Sequence, residues 1–237
     1  MADELELLMR EIVACRACPR LTEFRERVAR EKKRAHESER YWGRPVPGFG
    51  SRRARVVLVG LAPGAHGANR TGRPFTGDAS GTFLFRSLFE HGLASQPVSK
   101  HAGDGLRLRD AYITGAVRCV PPGNRPQRSE IDRCLGFLAR ELALLPRARV
   151  FLALGRVAYD GLVVVLPGVC PSWDGTAPRF RHGASVRLGD DHRWLLGSYH
   201  PSPLNTRTGR LSPAMLDDVV DRALELARDE RDGPAAG

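Results

Sequence analysis

Four short apolar runs, separated by helical patterns, constrain the fold of this 237-residue chain more than any other feature of its sequence. Each run is too short for a helix and apolar throughout, which is typical of strands buried on both faces of a parallel sheet. The runs occupy residues 55–60, 111–117, 149–154 and 194–199, and the helical patterns occupy 81–91, 129–145, 157–165 and 213–230. This alternation predicts an α/β fold, a three-layer α/β/α sandwich around a parallel sheet.

The N-terminal segment predicts a helical arm outside this alternation. Residues 3–40 carry apolar side chains at helical spacing and then a densely charged run, and the Gly/Pro-rich stretch 42–50 links them to the first strand. We therefore expect one domain over residues 1–237, with a helical arm over 1–50 and a flexible tail over 231–237. The acidic, amphipathic N-terminus does not match a secretion signal, and no run of about 18 apolar residues occurs, so we expect a cytoplasmic protein.

The chain is strongly basic, which narrows the class of partner. Lys and Arg number 37 against 27 Asp and Glu, a net charge of +10, and 42% of the residues are hydrophobic. The hydrophobic content excludes wholesale disorder, and the charge favours a polyanion, with nucleic acid ahead of a membrane surface. Only Lys32, Lys33 and Lys100 are lysines. GC-rich codons could produce such an arginine bias without any ligand, although arginine is also the better phosphate clamp.

Four of the five cysteines suggest a ligand set. Cys15 and Cys18 form a C-x-x-C pair, and fourteen residues separate Cys119 from Cys134. Two close thiolates with a distant pair are typical of a zinc site or an iron–sulfur cluster. A redox C-x-x-C motif or unrelated buried cysteines would also fit these positions, and the spacing does not separate zinc from a cluster. Cys170, in a Gly-Val-Cys-Pro segment, is expected to be a buried non-ligand.

Two loops that follow predicted strands contain candidate site residues. The first strand leads into a glycine-rich stretch over residues 60–81, in which the backbone can approach a ligand closely. This stretch matches neither the dinucleotide-binding pattern nor the P-loop pattern. The last strand leads into His200, and ligands in parallel sheets bind at the carboxyl ends of strands. A lone histidine at a strand end is nonetheless more often structural than catalytic.

Four short motifs, in this order, carry a specific resemblance. They are Gly-Leu-Ala-Pro-Gly at 60–64, Gly-Arg-Pro-Phe-Thr-Gly at 72–77, Arg-Cys-Val-Pro-Pro-Gly-Asn-Arg at 118–125 and His-Pro-Ser-Pro-Leu-Asn at 200–205. Together they resemble the uracil-DNA glycosylase superfamily, and most closely its family 5, the type b enzymes that contain an iron–sulfur cluster. The resemblance implies a central four-stranded parallel sheet. It also implies a structural [4Fe-4S] cluster, whose ligands would be Cys15, Cys18, Cys119 and Cys134.

The resemblance implies roles for two apolar side chains in extruding and binding the target nucleotide. A glycosylase turns its target out of the duplex, at a cost of roughly a few kcal/mol. Leu204 matches the wedge that fills the vacated space. Phe75 matches the aromatic ring on which the flipped base stacks, a contact worth about 1–3 kcal/mol. Either side chain could instead belong to the hydrophobic core.

The resemblance also implies a set of catalytic residues. His200 is expected to donate a hydrogen bond to the base oxygen on which negative charge grows as the N-glycosidic bond breaks. Many superfamily members carry Asp, Asn or Glu in the first motif, but this sequence has Leu61 and Ala62 there. Asp78 matches the acid of family 5, and it could equally cap the helix that starts beside it. Asn124 matches a polar pocket residue of family 5, or it is a turn residue next to a glycine.

Two glycines stand where related enzymes select their base. Gly115 aligns with an asparagine that reads the uracil edge, and Gly64 aligns with a tyrosine that blocks 5-methyl groups. Loss of a specific reader and of a steric gate loosens selection. We therefore expect excision of uracil, hypoxanthine and 5-substituted uracils from duplex DNA. None of the three lysines lies in a motif, so we expect a monofunctional enzyme that leaves an abasic site for base excision repair.

Arginines crowd the same loops, and we predict that they contact DNA phosphates, which would make binding fall steeply with salt. The candidates are Arg70, Arg73, Arg118, Arg125, Arg128, Arg207 and Arg210. A solvated basic rim is the alternative for any one of them.

Two further functions stay open at this point. The missing acid at positions 61 and 62 would also suit a non-catalytic, cluster-bearing protein that binds damaged nucleic acid. An enzyme of free nucleotides is the second possibility, but it would need neither the Leu204 wedge nor the basic excess. The resemblance further implies a monomer, because small glycosylases usually are monomeric.

Overall fold

A single six-stranded sheet forms the middle layer of the molecule. In the computed structural model, which describes residues 3–190 and 192–228, the strands are β1 (Phe49–Gly50), β2 (Val56–Gly60), β3 (Ala111–Gly115), β4 (Val150–Leu154), β5 (Ser185–Arg187) and β6 (Trp194–Ser198). Their order across the sheet is β1-β3-β2-β4-β6-β5. The four central strands run parallel, in a register that sets Val56 opposite both Ala111 and Val150. The predicted four-stranded parallel sheet is therefore confirmed.

The two edge strands are antiparallel to their neighbours, and the sequence does not predict them. β1 pairs with β3, and β5 pairs with β6. β1 has only two residues, within the Gly/Pro-rich link, and β5 has three residues that are at most half-buried. Neither strand therefore carries the continuous apolar run by which a strand buried on both faces is recognised.

Helices cover both faces of the sheet. Within the described residues they are α1 (Glu4–Ala14), α2 (Pro19–Glu31), α3 (Ala68–Thr71), α4 (Ala79–Glu90), α5 (Arg128–Ala143), α6 (Arg156–Val165), α7 (Pro203–Arg207) and α8 (Pro213–Ala227). The four helical patterns that follow the strands correspond to α4, α5, α6 and α8. No helix in these ranges is long and apolar enough to cross a bilayer.

The hydrophobic core lies in two layers, one on each face of the sheet. On one face, α5 and α6 bury Leu138 and Leu162 against strand residues such as Val57. On the other face, α4 and α8 bury Leu84 and Leu216. Because successive side chains of a strand point to opposite faces, the central strands are apolar at every position. The three-layer sandwich is thus confirmed.

The N-terminal arm consists of two helices that fold back onto the body of the molecule. α1 packs against α5 and adds Leu5 to the core, and the chain between Cys15 and Cys18 separates α1 from α2. Pro19 is the first residue of α2, a position where proline is well tolerated. The predicted tail over 231–237 lies outside the described residues, and the single domain over 1–237 stays a prediction.

Candidate active site

The carboxyl ends of β2, β3 and β6 open into one cavity of about 730 Å³. Its walls come from the glycine-rich loop after β2, from the end of β3 and from the segment after β6. The cavity therefore lies where ligands bind in parallel α/β sheets. It brings together every predicted catalytic, base-binding and wedge residue: Gly64, Phe75, Asp78, Gly115, Asn124, His200 and Leu204.

Phe75 forms one wall of the cavity in a strained backbone conformation. Its φ is 50°, in the left-handed region that a bulky residue rarely adopts. Its ring lies against Gly60, where a Cβ atom would stand 2.8 Å from the ring. The ring centroid is 5.8 Å from that of His200, at an interplanar angle of 32°. Phe75 packs against the edge of the core but stays partly exposed at the cavity, so it is not a plain core residue.

The two carboxylate oxygens of Asp78 have different surroundings: one caps the helix α4, and the other faces glycines that line the cavity. It is the N-cap of α4, where Oδ1 accepts a hydrogen bond of 2.9 Å from the main-chain N–H of Gly81. Oδ2 faces Gly64 and Gly67, and a Cβ atom at Gly67 would overlap it. Burial raises the pKa of Asp78, although main-chain hydrogen bonds and the charge of Arg70 act in the opposite direction. The capping role is thus present, and it leaves Oδ2 for a ligand.

His200 follows β6 and directs a neutral imidazole to the site. Burial lowers the pKa of His200 to about 4, so the ring is uncharged at neutral pH. Its main-chain oxygen accepts a hydrogen bond of 2.8 Å from Nδ2 of Asn205. The ring itself makes no hydrogen bond to any of the described residues, so its N–H is available to a ligand.

Leu204 and Asn124 lie at the rim of the cavity. Leu204, on α7, is 72% exposed, which excludes a core leucine. Asn124 is exposed in a short 3-10 turn and has a φ of 56°. It is therefore a turn residue that also lines the cavity.

The structure corrects the prediction that Arg70, Arg73 and Arg118 contact phosphates. All three guanidinium groups are buried in ion pairs, with Glu39, with Asp104 and with Glu141, respectively. A buried, paired arginine cannot reach a phosphate in solvent without giving up its partner. The remaining candidates are exposed: Arg125, Arg128, Arg207 and Arg210.

The four candidate ligand cysteines gather beside the arm. Cys18, Cys119 and Cys134 are buried in one apolar cluster, Cys15 is half-buried, and all are free thiols. Arg25 of α2, only 2% exposed, donates from Nη1 to Sγ of Cys119 at 3.0 Å and to the main-chain oxygen of Cys15 at 3.2 Å. Sequence reasoning missed this arginine, since nothing in a charged helix marks one guanidinium as buried.

The thiols interact electrostatically without converging on one point. Burial raises the pKa of Cys119 to about 11, and the neighbouring Cys134 and Cys15 act in the same direction. Within residues 3–190 and 192–228, no three His, Cys, Asp or Glu side chains are placed to hold a single metal ion. Cys170 is buried away from this group, in the core of one sheet face.

Comparison with known proteins agrees with this geometry. A family model described as the uracil DNA glycosylase superfamily matches residues 47–224, which include the whole sheet. The chain belongs to the uracil-DNA glycosylase superfamily. The match covers all four sequence motifs, so membership rests on the site as well as on the sheet.

Two type-5 relatives within the superfamily match over nearly their whole length, and a type-4 relative matches over a shorter part. A type-5 uracil-DNA glycosylase of Thermus thermophilus is 51% identical over 222 residues, covering 94% of this chain and 98% of the relative. One of Mycobacterium leprae is 49% identical and covers 95% and 97%. A type-4 uracil-DNA glycosylase of Archaeoglobus fulgidus is 33% identical over 66% of this chain and 62% of its own. The resemblance to family 5 is therefore confirmed.

The N-terminal arm of this superfamily member also reaches the cavity, which the sequence does not predict. Lys33 and His36 line it, as does His66 of the glycine-rich loop. The Tyr41 hydroxyl lies 3.1 Å from Nδ1 of His66. Burial, followed by the charges of Lys33, His36 and Arg70, lowers the pKa of His66. His66 has a signal in the sequence, its place in a motif loop, but the arm residues have none.

Proposed function

We propose that the protein is a monofunctional DNA glycosylase that excises uracil from duplex DNA and leaves an abasic site for base excision repair. One observation carries this proposal: Phe75, Asp78 and His200 share a cavity whose rim bears the exposed Leu204. An aromatic wall, a carboxylate, a neutral N–H donor and an apolar projection are the parts that base excision requires. A cytoplasmic location and a monomeric state fit this proposal.

Entry of the target nucleotide depends on the rim and the wall. Leu204 would enter the base stack and occupy the space that the extruded nucleotide leaves. The flipped base would then stack on Phe75, and such stacking contributes about 1–3 kcal/mol per base. The exposed Arg125, Arg207 and Arg210 would hold the flanking phosphates.

Cleavage moves the bonding electrons of the N-glycosidic bond onto the base. His200, neutral because of its burial, would donate its N–H to the base oxygen that gains negative charge. The Asp78 carboxylate would oppose the positive charge on the sugar and accept a proton from the attacking water. The water oxygen forms the new bond to C1′, and the base leaves as an anion. The raised pKa of Asp78 suits a proton acceptor.

We propose a broad choice of base, because two cavity positions have no side chain. Gly64 and Gly115 both line the cavity, and at Gly115 the nearest atom to a Cβ would be the main-chain oxygen of Val117, at 3.1 Å. A site without a steric gate or an edge-reading amide discriminates weakly among bases. We expect excision of hypoxanthine at more than about a thousandth of the rate for uracil, measured by single-turnover kinetics. A lower rate would restrict the enzyme to uracil and its 5-substituted forms.

We also propose that Cys15, Cys18, Cys119 and Cys134 hold a structural [4Fe-4S] cluster. Four thiols without a disulfide are the donor set of such clusters, and the Arg25 hydrogen bond to Cys119 is typical of the contacts around metal ligands. Zinc also binds four thiolates, at about 2.3 Å, so the choice of a cluster over zinc rests on the resemblance to family 5. When bound, the cluster would connect the arm to the segment after β3 and to α5. An absorbance band near ~400 nm that is lost in Cys15→Ser, with iron in the purified protein, tests this assignment.

Lys33 requires a direct test of the monofunctional assignment. A lyase uses an amine nucleophile, and Lys33 is exposed at the edge of the cavity. We expect no covalent DNA adduct on borohydride reduction, because Lys33 lies outside the motifs that carry the reacting groups. An adduct that disappears in Lys33→Gln would make the enzyme bifunctional.

Alkaline cleavage of a uracil-containing duplex tests the proposed activity. The wild-type protein is expected to give strand breaks at uracil after heating in alkali. Asp78→Ala and His200→Ala should each reduce the rate by about 10²-fold or more. Asp160→Ala, an exposed aspartate on α6, is the matched control and should leave the rate unchanged. Binding without breaks would favour the non-catalytic damage-binding protein instead.

A further inference from the structure

Arg70 donates hydrogen bonds to two points of the glycine-rich loop that carries the candidate catalytic acid. It lies in α3, with 7% of its surface exposed. Nε donates to the main-chain oxygen of His66 at 2.7 Å, and Nη2 donates to that of Gly77 at 3.0 Å. Gly77 is bonded directly to Asp78, so one guanidinium group bridges His66 and the residue before the acid.

The third contact of Arg70 comes from the N-terminal arm. Nη1 pairs with the carboxylate of Glu39, whose other oxygen lies 2.6 Å from Nδ1 of His36. Burial alone would raise the pKa of Glu39, but the hydrogen bonds from His36 and Arg70 outweigh it, and the pKa is lowered. The main chain continues this junction, since the N–H of Trp42 donates to the oxygen of Arg70 at 2.8 Å. The arm is thus attached to the loop at its centre.

Arg70 also contributes to the charge balance around Asp78. Its charge opposes the burial that raises the Asp78 pKa, as do the N–H groups of Gly81 and Ser80. The other titratable or charged groups on the cavity side are Lys33, His36, His66 and His200. A second cavity, which Asp78 and Arg70 also line, adds Glu39, Lys100 and His101.

We propose that Arg70, held by Glu39 of the arm, is a positioning residue that fixes the Asp78 carboxylate at the reacting sugar and places a positive charge near it. The arm would then have a function besides carrying two cysteines, since its Glu39 is the counter-ion of Arg70. This role rests on the proposed glycosylase activity.

Two substitutions at Arg70 separate the geometric part from the electrostatic part. Arg70→Lys keeps the charge but loses the planar guanidinium group that reaches two main-chain oxygens. The single-turnover rate should therefore fall about tenfold, and the acidic limb of the pH–rate profile should not shift. Arg70→Gln also removes the charge that favours ionised Asp78. Its acidic limb should therefore move to higher pH, by roughly half a unit or more. Arg40→Gln, an exposed arginine of the arm, is the control and should change neither quantity.

The Glu39 side chain gives a test that does not depend on a buried substitution. Its side chain is 42% exposed, so Glu39→Ala is expected to fold, and circular dichroism melting verifies this. We expect about a tenfold lower single-turnover rate with DNA affinity unchanged, because a loosened loop misplaces Asp78. Glu37→Ala, an exposed acid two residues away, should behave as the wild type.

Wild-type activity on the uracil duplex is measured first, so that the two claims fail separately. A wild-type protein without activity contradicts the proposed function. An active wild type, together with Arg70 and Glu39 variants of unchanged rate and unchanged acidic limb, overturns the role of Arg70 alone. An equal acidic limb in Arg70→Lys and Arg70→Gln overturns its electrostatic part.

Discussion

Single residues without side chains determine the shape of the candidate site. A Cβ atom at Gly67 would overlap Oδ2 of Asp78, and one at Gly60 would stand 2.8 Å from the Phe75 ring. Phe75 itself accepts an unfavourable φ of 50° so that its ring faces the cavity. Strain of this kind costs about 1–3 kcal/mol and persists where the surrounding structure fixes the conformation. The glycine-rich loop is therefore shaped around the side chains of Phe75 and Asp78.

The Gly67 position gives a prediction about the acid. Gly67→Ala should displace the Asp78 carboxylate and lower the single-turnover rate on uracil by about 10²-fold, because a shift of about 1 Å is enough to do so. Gly136→Ala is the control, since a Cβ atom there meets nothing within 4 Å and lies in a helix. Equal rates for the two variants would show that Asp78 does not need its present position.

The exposed Leu204 gives a prediction about base flipping. Leu204→Ala should lose more activity on a paired uracil than on an unpaired one, because extrusion costs least where the base is already loose. The comparison uses the same sequence as duplex and as single strand. Leu7→Ala, an exposed leucine on α1, should affect neither substrate. Equal losses on both substrates would contradict the wedge.

The sequence predicts the site residues better than it predicts the arginines around them. The resemblance of their motifs to the glycosylase family assigns Phe75, Asp78 and His200, and His200 also follows a predicted strand, where ligands of parallel sheets bind. Burial of Arg70 and Arg73 depends instead on Glu39 and Asp104, which lie 31 residues away in each case. A guanidinium group in a motif loop looks the same in sequence whether it faces a phosphate or an internal carboxylate.

At the scale of elements, a buried polar network joins β3 to α5. Glu141 of α5 accepts hydrogen bonds from the Tyr112 hydroxyl at 2.9 Å, the Thr114 hydroxyl at 2.7 Å and Nη2 of Arg118 at 2.5 Å. Thr114 lines the cavity, and Arg118 immediately precedes Cys119. The same network thus supports the end of a site-forming strand and a candidate cluster ligand.

This network gives a prediction about stability. Glu141→Gln leaves the Arg118 charge buried without its counter-ion, and we expect a loss of about 3–5 kcal/mol in the free energy of unfolding. The double variant Glu141→Gln with Arg118→Met should recover much of that loss, since it removes both charges and keeps an acceptor oxygen for the hydroxyls of Tyr112 and Thr114. Urea denaturation of the three proteins measures the difference. A double variant less stable than Glu141→Gln would contradict the account.

Elements that are buried on both faces are the ones that the sequence predicts. β2 and β4 are buried at every position, so their short, continuously apolar sequences identify them. β1 and β5 form only because a neighbouring strand offers unpaired main-chain groups at each edge. The arm is predicted as helical, but its attachment to the glycine-rich loop through Glu39 and Arg70 is a tertiary contact with no local signal.

At the scale of the whole molecule, the net charge is +10, and the arginines of the motifs fall into a buried group and an exposed group. Arg70, Arg73 and Arg118 are buried and paired inside. Other arginines in or near the motifs stay exposed, and these are Arg125, Arg128, Arg207 and Arg210. The exposed group is the one that can produce a DNA-facing surface, so the basic composition overstates the number of available phosphate contacts.

The exposed arginines give a prediction about salt. Arg207→Gln should reduce the slope of log Kd against log salt by about 0.9, the amount for one phosphate contact on duplex DNA. Arg147→Gln is the control. Arg147 is exposed just before β4, at the amino-terminal end of that strand, whereas the cavity lies at the carboxyl ends. Fluorescence anisotropy with an uncleavable duplex measures both slopes. An unchanged slope for Arg207→Gln would place the DNA elsewhere.

The stoichiometry of products tests the central claim most directly. The purified protein is incubated with a uracil-containing duplex, and free uracil is measured by mass spectrometry beside abasic sites and broken strands. We expect one free uracil for each abasic site, with strands intact before alkali, and loss of both products in His200→Ala and Asp78→Ala. No free uracil from the wild type, or strand breaks without alkali, would contradict hydrolytic base excision at this cavity.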